Sequence, residues 1–196
     1  MLSTHLNGLD RRRTSASSSA LILFSLLSCW SCAHSRSLKA EPCAALPKGH
    51  LEHLLQRQLS GYRIVTPKDL IPFHKAIWER EHPQSCPGLT RVDIDGDGKL
   101  DVGLNMIKGA GGLRLGLLIL ALRVNQGWSL RKLEQYEQNV PAVLWSDSDR
   151  TIIYDAYDGG DKLRFSHGAL ILVRYESWAR AYGIVESDIK WIQLSN

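Results

Sequence analysis

The chain has 196 residues, of which 44% are hydrophobic and 22% are charged, and its formal net charge is +4. This composition excludes a disordered chain, a collagen-like repeat and a coiled coil, and a chain this short usually supports one domain. The chain has 24 basic and 20 acidic residues, and residues 1–33 contain four of them: Arg11, Arg12, Arg13 and Asp10. The rest of the chain therefore has 21 basic and 19 acidic residues. No basic stripe interleaved with aromatic residues remains, so the sequence predicts no nucleic-acid partner.

Residues 1–33 have the pattern of an export signal. Three arginines at 11–13 precede a short apolar stretch at residues 20–27, and small residues follow up to Ala33. The apolar stretch is far shorter than the ~20 residues that cross a bilayer. We therefore expect a cleaved signal and an exported protein, either periplasmic or extracellular.

Two cleavage sites fit this segment. The run LLSC ending at Cys29 resembles the bacterial lipobox, which would make Cys29 a lipidated N-terminus and attach the protein to a membrane. The run SCA ending at Ala33 instead fits the small-x-small rule of ordinary signal peptidase. The second site leaves Cys43 and Cys86 as a pair, whereas the first also retains Cys32 as an odd thiol. Cysteine parity slightly favours the second site, and both remain open.

Cys43 and Cys86 are predicted to form a disulfide in an oxidising compartment. Neither cysteine has a second cysteine or a histidine at metal-ligand spacing. Closing a loop of about 44 residues is worth ~4 kcal/mol in the chain-entropy treatment. The bridge would tie the start of the mature chain to the segment that leads into an acidic loop.

The first third of the mature chain is predicted to be helical. Residues 34–49 contain proline and alanine and are typical of a linker. Residues 50–60 place leucines on one face at helical spacing, and Gly61 ends the run. A short strand is predicted at residues 62–65. Thr66 to Asp69 then has the form of a helix start, and a helix is predicted over residues 73–81.

From Leu89 onward the apolar pattern is typical of strands. The predicted strands are residues 90–94, 100–107, 115–124, 128–133, 151–154, 169–175 and 189–194. Glycine-rich turns separate them at residues 109–112, 125–127 and 158–161. Residues 115–122 are apolar enough for a central strand buried on both faces, and residues 177–182 suggest a turn of helix. We therefore predict one α+β domain over residues 50–196, an antiparallel meander with N-terminal helices.

The most specific motif is the acidic segment DIDGDGKLD, residues 93–101, called the aspartate loop below. It carries carboxylates at positions 1, 3, 5 and 9 and glycines at positions 4 and 6, the spacing that lets alternate residues surround a divalent ion. The carbonyl at position 7 would add another oxygen. The predicted calcium ligands are Asp93, Asp95, Asp97, the Lys99 carbonyl and Asp101.

The loop differs from an EF-hand. Position 12 is Leu104 instead of a bidentate glutamate, and both flanks alternate like strands. A strand–loop–strand site is therefore predicted, and its all-oxygen ligands favour Ca²⁺ over zinc or copper.

The segment VDIDGDGKLDVGL, residues 92–104, resembles the calcium loop of FG-GAP and VCBS-type proteins, in which D-x-D-G-D-G-x-x-D joins two strands. Those proteins repeat the unit as propeller blades, whereas this chain has it once. The chain is also similar to uncharacterised small exported bacterial proteins with a single such loop. In these proteins a Cys-Pro-Gly-Leu run (here 86–89) precedes the loop, and segments equivalent to 169–178 and 191–194 close the domain. The resemblance implies calcium binding at residues 93, 95, 97, 99 and 101, and no catalytic residue.

These patterns favour an exported calcium-binding module without enzymatic activity, in the cell envelope or outside the cell. Its predicted partners are Ca²⁺ and an envelope protein or glycan, with a membrane contacted only through a lipid anchor. One alternative is a small secreted hydrolase that uses His167 with acids between residues 147 and 161. Another is an inhibitor or adhesion protein that presents a face bearing the tryptophans at 78, 128, 145, 178 and 191.

Overall fold

The computed structural model describes residues 42–45, 49–109, 113–148, 152–157 and 162–195, all within one compact unit, Lys39–Asn196. The predicted signal, the candidate lipidation site Cys29, most of the linker and the glycine-rich turns at 110–112 and 158–161 lie outside the described residues.

Two short α-helices lie near the N-terminus: α1 (His50–Gln58) and α2 (Pro72–Glu81). Helix α1 buries Leu51, Leu54 and Leu55, the face that the leucine spacing predicts. Helix α2 begins at Pro72, because a proline at the first helical position has no amide that needs an intrahelical partner. Both helix predictions are confirmed. Short 3-10 helices also occur at Pro42–Ala45 and Pro67–Asp69.

The rest of the described chain consists of strands joined by turns. In chain order these are β1 (Arg63–Ile64), β2 (Leu89–Val92), β3 (Asp101–Lys108), β4 (Arg114–Val124), β5 (Gly127–Gln138), β6 (Val143–Asp147), β7 (Ile152–Asp155), β8 (Lys162–Phe165), β9 (Ala169–Arg174), β10 (Trp178–Val185) and β11 (Asp188–Ser195). Their pairings are antiparallel, as the sequence predicts.

The strands divide into two sheets and a hairpin. In the first sheet, β2, β3, β4 and β5 pair consecutively, and β1 also pairs with β3. The second sheet has the order β11-β10-β9-β6, and β7 pairs with β8. The predicted meander is thus split between β5 and β6, where Pro141 has no amide to extend the first ladder.

The prediction of a helical turn at residues 177–182 is wrong. Residues 178–185 form β10, which pairs with β9 on one side and with β11 on the other. Two ladders of backbone hydrogen bonds outweigh the helix propensity of the Ala-Arg-Ala stretch, which is worth only tenths of a kcal/mol per residue. Strands β6 and β8 are not among the predicted strands, although each is at least as long as β2.

The core lies on both sides of the first sheet. Helix α1 packs on its outer face, against Leu104, Leu117 and Ile119. On its inner face, Leu118 and Leu120 pack against Leu170, Leu172 and Tyr182 of the second sheet. Strand β4 was predicted to be buried on both faces. This prediction is confirmed, because residues 116–121 are all buried.

The predicted disulfide is present between Cys43 and Cys86, with their Cα atoms 4.9 Å apart. Cys86 is buried and forms an isolated bridge with Leu89. The disulfide therefore joins the N-terminal 3-10 helix to the residues that enter β2, the strand that leads into the aspartate loop.

Candidate metal centre

The aspartate loop connects β2 to β3, so its flanks are strands. Asp101 is the first residue of β3, and Val92 is the last residue of β2. Gly96 and Gly98 have φ angles of +76° and +80°, the left-handed region that favours glycine. The two glycines allow the chain to turn tightly while the carboxylates on both sides remain close together.

Backbone amides hold the first carboxylate in place. Asp93 Oδ1 accepts a hydrogen bond of 2.8 Å from Gly96 N, and Asp93 Oδ2 accepts one of 3.0 Å from Gly98 N. Asp95 Oδ1 accepts a longer bond of 3.2 Å from Asp97 N. The loop therefore orients Asp93 and Asp95 through its own backbone amides.

Asp101 is the most unusual of these residues, because it is fully buried. Its Oδ1 accepts a hydrogen bond of 2.7 Å from Arg123 N, and its Oδ2 accepts one of 3.2 Å from Ile94 N. Burial raises the pKa of Asp101 to about 6, against the effect of these two amides, and Asp95 and Asp97 contribute to the rise. Within the described residues no lysine or arginine side chain forms an ion pair with it.

Three of the predicted ligands come together. Asp93, Asp95 and Asp101 each offer a carboxylate oxygen, and these oxygens lie within 4.8 Å of one another. Like charges at this separation repel, and a cation between them would favour their ionised forms. The cluster is therefore an arrangement that can hold a metal ion.

The Asp97 carboxylate differs from the other three predicted carboxylate ligands, because it pairs with Lys99. Asp97 Oδ1 accepts a hydrogen bond of 2.8 Å from Lys99 N, and Asp97 Oδ2 accepts one of 2.7 Å from Lys99 Nζ. The Lys99 ammonium lowers the pKa of Asp97 through this hydrogen bond. Both side chains are on the solvent side of the loop, and Asp97 is not in the three-carboxylate cluster.

His167 lies directly against the aspartate loop, which the sequence did not predict. A Cβ atom at Gly96 would overlap the imidazole ring of His167. The next residue, Gly168, donates its amide to the carbonyl of Asp93 over 3.3 Å. The turn between β8 and β9 thus supports the loop from one side.

A cleft of about 690 Å³ opens between this turn and the loop. Its lining includes Asp93, Gly96, His167 and the hydroxyl-bearing residues Ser148 and Ser166. This cavity is called the loop cleft below.

The acids of the alternative hydrolase are only partly described. Asp147 ends β6 and is half-buried, while Asp149, Asp158 and Asp161 and the side chain of Asp155 lie outside the described residues. In the part of the chain that the structure describes, no hydrogen bond or ion pair joins His167 to an acid.

The tryptophans do not share one face. Trp78 is buried and packs against His82, with ring centroids 4.4 Å apart, and Trp145 lies 4.8 Å from the same imidazole. At the far edge of the second sheet, the Arg180 guanidinium lies 4.7 Å from the ring of Trp178 and 5.2 Å from that of Trp191.

Comparison with models of protein families, with curated proteins and with solved structures gave no match to this chain. Among the described residues, no helix has both the length and the apolar character needed to cross a membrane. The disulfide is typical of an oxidising compartment outside the cytoplasm.

Proposed function

We propose that this protein is an exported calcium-binding module in which the aspartate loop holds one Ca²⁺ ion in a structural role. The observation that carries the proposal is the buried Asp101 carboxylate beside Asp93 and Asp95. A buried charge without a charged partner is costly, and a cation offsets that cost. The disulfide supports a location outside the cytoplasm, where free calcium is abundant enough for a weak site.

The donor set favours calcium among the common metal ions. Carboxylate oxygens are hard ligands, which suit Ca²⁺ and Mg²⁺ better than zinc or copper. Ca²⁺ accepts 6–8 oxygens in flexible geometry, whereas Mg²⁺ demands a near-ideal octahedron and gives up its waters reluctantly. A loop of nine residues with two glycines suits the more tolerant ion. Extracellular modules of this kind bind with dissociation constants of ~10⁻⁴ to 10⁻³ M.

Calcium titration of thermal stability tests the proposal. At ten times the dissociation constant, an ion that binds only the folded state stabilises it by about 1.4 kcal/mol. That corresponds to a rise in melting temperature of about 3–6 °C for a chain of this size. We expect this rise in wild type with Ca²⁺, a smaller rise with Mg²⁺ and none for Asp95→Asn.

Asp188→Asn is the matched control, because Asp188 is an exposed aspartate on β11 with 76% of its side chain accessible. It should show the full calcium response. Asp97→Asn should weaken calcium binding less than Asp95→Asn does, since the Asp97 carboxylate pairs with Lys99. A wild-type melting temperature that is the same in Ca²⁺ and in EGTA would overturn the proposal.

A further inference from the structure

We propose that the loop cleft and the neighbouring cavity along β2 bind a neutral glycan, whose hydroxyl groups complete the coordination of the ion held by the aspartate loop. This inference rests on the proposed calcium site, because the loop forms one wall of the cleft. It adds to that site a ligand class and a binding surface.

The size and the walls of the loop cleft suit a small ligand. Its volume of about 690 Å³ lies within the range of about 300–1,000 Å³ typical of ligand pockets. Three separate parts of the chain form it: the end of β2 with the aspartate loop, Ser148 after β6, and Ser166 to Gly168 before β9. The His167 ring is half-buried and packs against Gly96. This contact restricts the orientation of the ring.

A second cavity lies next to the first. It has a volume of about 440 Å³, and Arg91 lines both cavities. Trp145 and His82 provide aromatic surface on its wall. Beside them, the hydroxyl oxygens of Thr90 and Ser146 lie 2.7 Å apart, where β2 of the first sheet meets β6 of the second. Together the two cavities offer room for more than one sugar ring.

The chemistry of the walls favours a polyhydroxylated ligand. Hydroxyl groups such as those of Ser148 and Ser166 both donate and accept hydrogen bonds, as do the hydroxyls of a sugar, and a neutral imidazole does the same through its two nitrogens. The half-buried indole of Trp145 combines an apolar face with a polar edge, which suits the two faces of a pyranose ring.

The charges argue for a neutral ligand. With Ca²⁺ bound, the charges of the ion, the three clustered carboxylates and the Arg91 guanidinium cancel, so the wall presents no excess of one sign to a charged ligand. If each of the three clustered carboxylates binds through one oxygen, Ca²⁺, which takes 6–8 oxygens, keeps three to five positions open. Neutral oxygens suit these positions, and two adjacent hydroxyls of a sugar can supply them.

The experiment is calorimetric binding of the full oxidised protein to neutral tetrasaccharides of glucose, galactose and N-acetylglucosamine, in saturating Ca²⁺ and in EGTA. We expect at least one tetrasaccharide to bind in Ca²⁺ and none in EGTA. His167→Ala should weaken that binding by about tenfold or more, the loss expected when a positioned hydrogen-bonding group is removed. Ser166→Tyr, which fills the cleft from an exposed position, should abolish it.

His53→Ala is the control, because His53 is an exposed histidine on α1 and lines neither cavity. It should bind as wild type does. The calcium-dependent rise in melting temperature, measured for every variant, shows whether the variant is folded and holds the ion.

The outcomes separate the two proposals. A wild-type protein that shows the calcium-dependent rise but binds none of the tetrasaccharides overturns the glycan site and leaves the calcium site standing. Binding that is equal in Ca²⁺ and EGTA, or that survives both His167→Ala and Ser166→Tyr, also overturns the glycan site. Absence of the calcium-dependent rise in wild type overturns the proposed function and this inference with it.

Discussion

Gly96 is one of the residues through which the aspartate loop packs against the rest of the protein. Both Gly96 and Gly98 have positive φ, so the motif explains each glycine by backbone conformation alone. The structure adds a second requirement at Gly96, because the His167 ring occupies the space where a Cβ would lie. At Gly98 no heavy atom lies within 4 Å of that position. Two glycines that are equivalent in the sequence motif are therefore unequal in the fold.

This difference predicts unequal effects of alanine. Gly96→Ala and Gly98→Ala should both lose about 1–2 kcal/mol of unfolding free energy, because alanine is strained in the left-handed region. Gly96→Ala should lose about 1–3 kcal/mol more, the usual cost of inserting a methyl group into a packed contact. Urea unfolding in EGTA measures both losses without a contribution from the ion.

The His167→Ala background provides the control for this comparison. Removal of the imidazole should make the two alanine substitutions equally costly, since only the backbone strain remains. Equal losses in the wild-type background would contradict the contact between Gly96 and His167.

At the scale of single elements, the Asp69 carboxylate stabilises the short 3-10 helix Pro67–Asp69. Asp69 Oδ2 accepts hydrogen bonds of 2.9 Å from both the amide and the hydroxyl of Thr66. Arg63 on β1 donates to both oxygens of the same carboxylate. The helix start that the sequence predicted at Thr66 is thus present, and Asp69 also ties it to β1.

Asp69 predicts a dependence of stability on pH. Burial raises the pKa of Asp69, but the hydrogen bonds from Arg63 and Thr66 outweigh burial and hold the pKa below that of a free aspartate. A carboxyl group whose pKa is lower in the folded state stabilises the fold above its unfolded pKa of about 3.9, and this contribution disappears as the pH falls through the folded pKa. Asp69→Asn should therefore cost about 1–2 kcal/mol near neutral pH, and less below about pH 4.

Chemical unfolding of wild type and Asp69→Asn in EGTA, from about pH 6 to about pH 3, measures this difference. Asp188→Asn again serves as the control, since that carboxylate is exposed and should change stability little at any pH in this range. A gap between wild type and Asp69→Asn that is the same at every pH would contradict the assignment.

At the scale of the whole molecule, a polar cluster joins the two sheets. Glu134 on β5 accepts hydrogen bonds from the Arg180 guanidinium and the Tyr182 hydroxyl, both on β10. Its side chain is only 16% exposed, and that of Arg180 is 26% exposed. Burial and the neighbouring Glu134 carboxylate raise the pKa of Tyr182, which therefore remains a hydrogen-bond donor.

Removal of Glu134 should destabilise the packing of the two sheets. We expect Glu134→Ala to cost about 2–3 kcal/mol of unfolding free energy, because it leaves a mostly buried guanidinium without its carboxylate. Glu137→Ala is the matched control on the same strand, where the side chain is exposed and its removal should change stability by no more than about 0.5 kcal/mol. Urea unfolding of both variants measures the difference, and equal costs would contradict a stabilising role for the cluster.

The sequence by itself determined the features that depend on residues close together in the chain. The leucine spacing of α1, the alternation along β3, the continuous apolar run of β4 and the Asp-Gly pattern of the aspartate loop are local signals, because helix period, strand pattern and turn chemistry involve only a few neighbours. The pairing of Cys43 with Cys86 was also predictable, since counting leaves few alternatives.

The tertiary structure decided what depends on partners far along the chain. The burial of Asp101 depends on β4, which supplies the amide of Arg123, and the support of Gly96 depends on His167, about seventy residues away. Likewise, β10 is a strand because β9 and β11 lie on either side of it. Local propensities are worth tenths of a kcal/mol, whereas burial and ladder formation are worth several, so long-range contacts prevail wherever the two disagree.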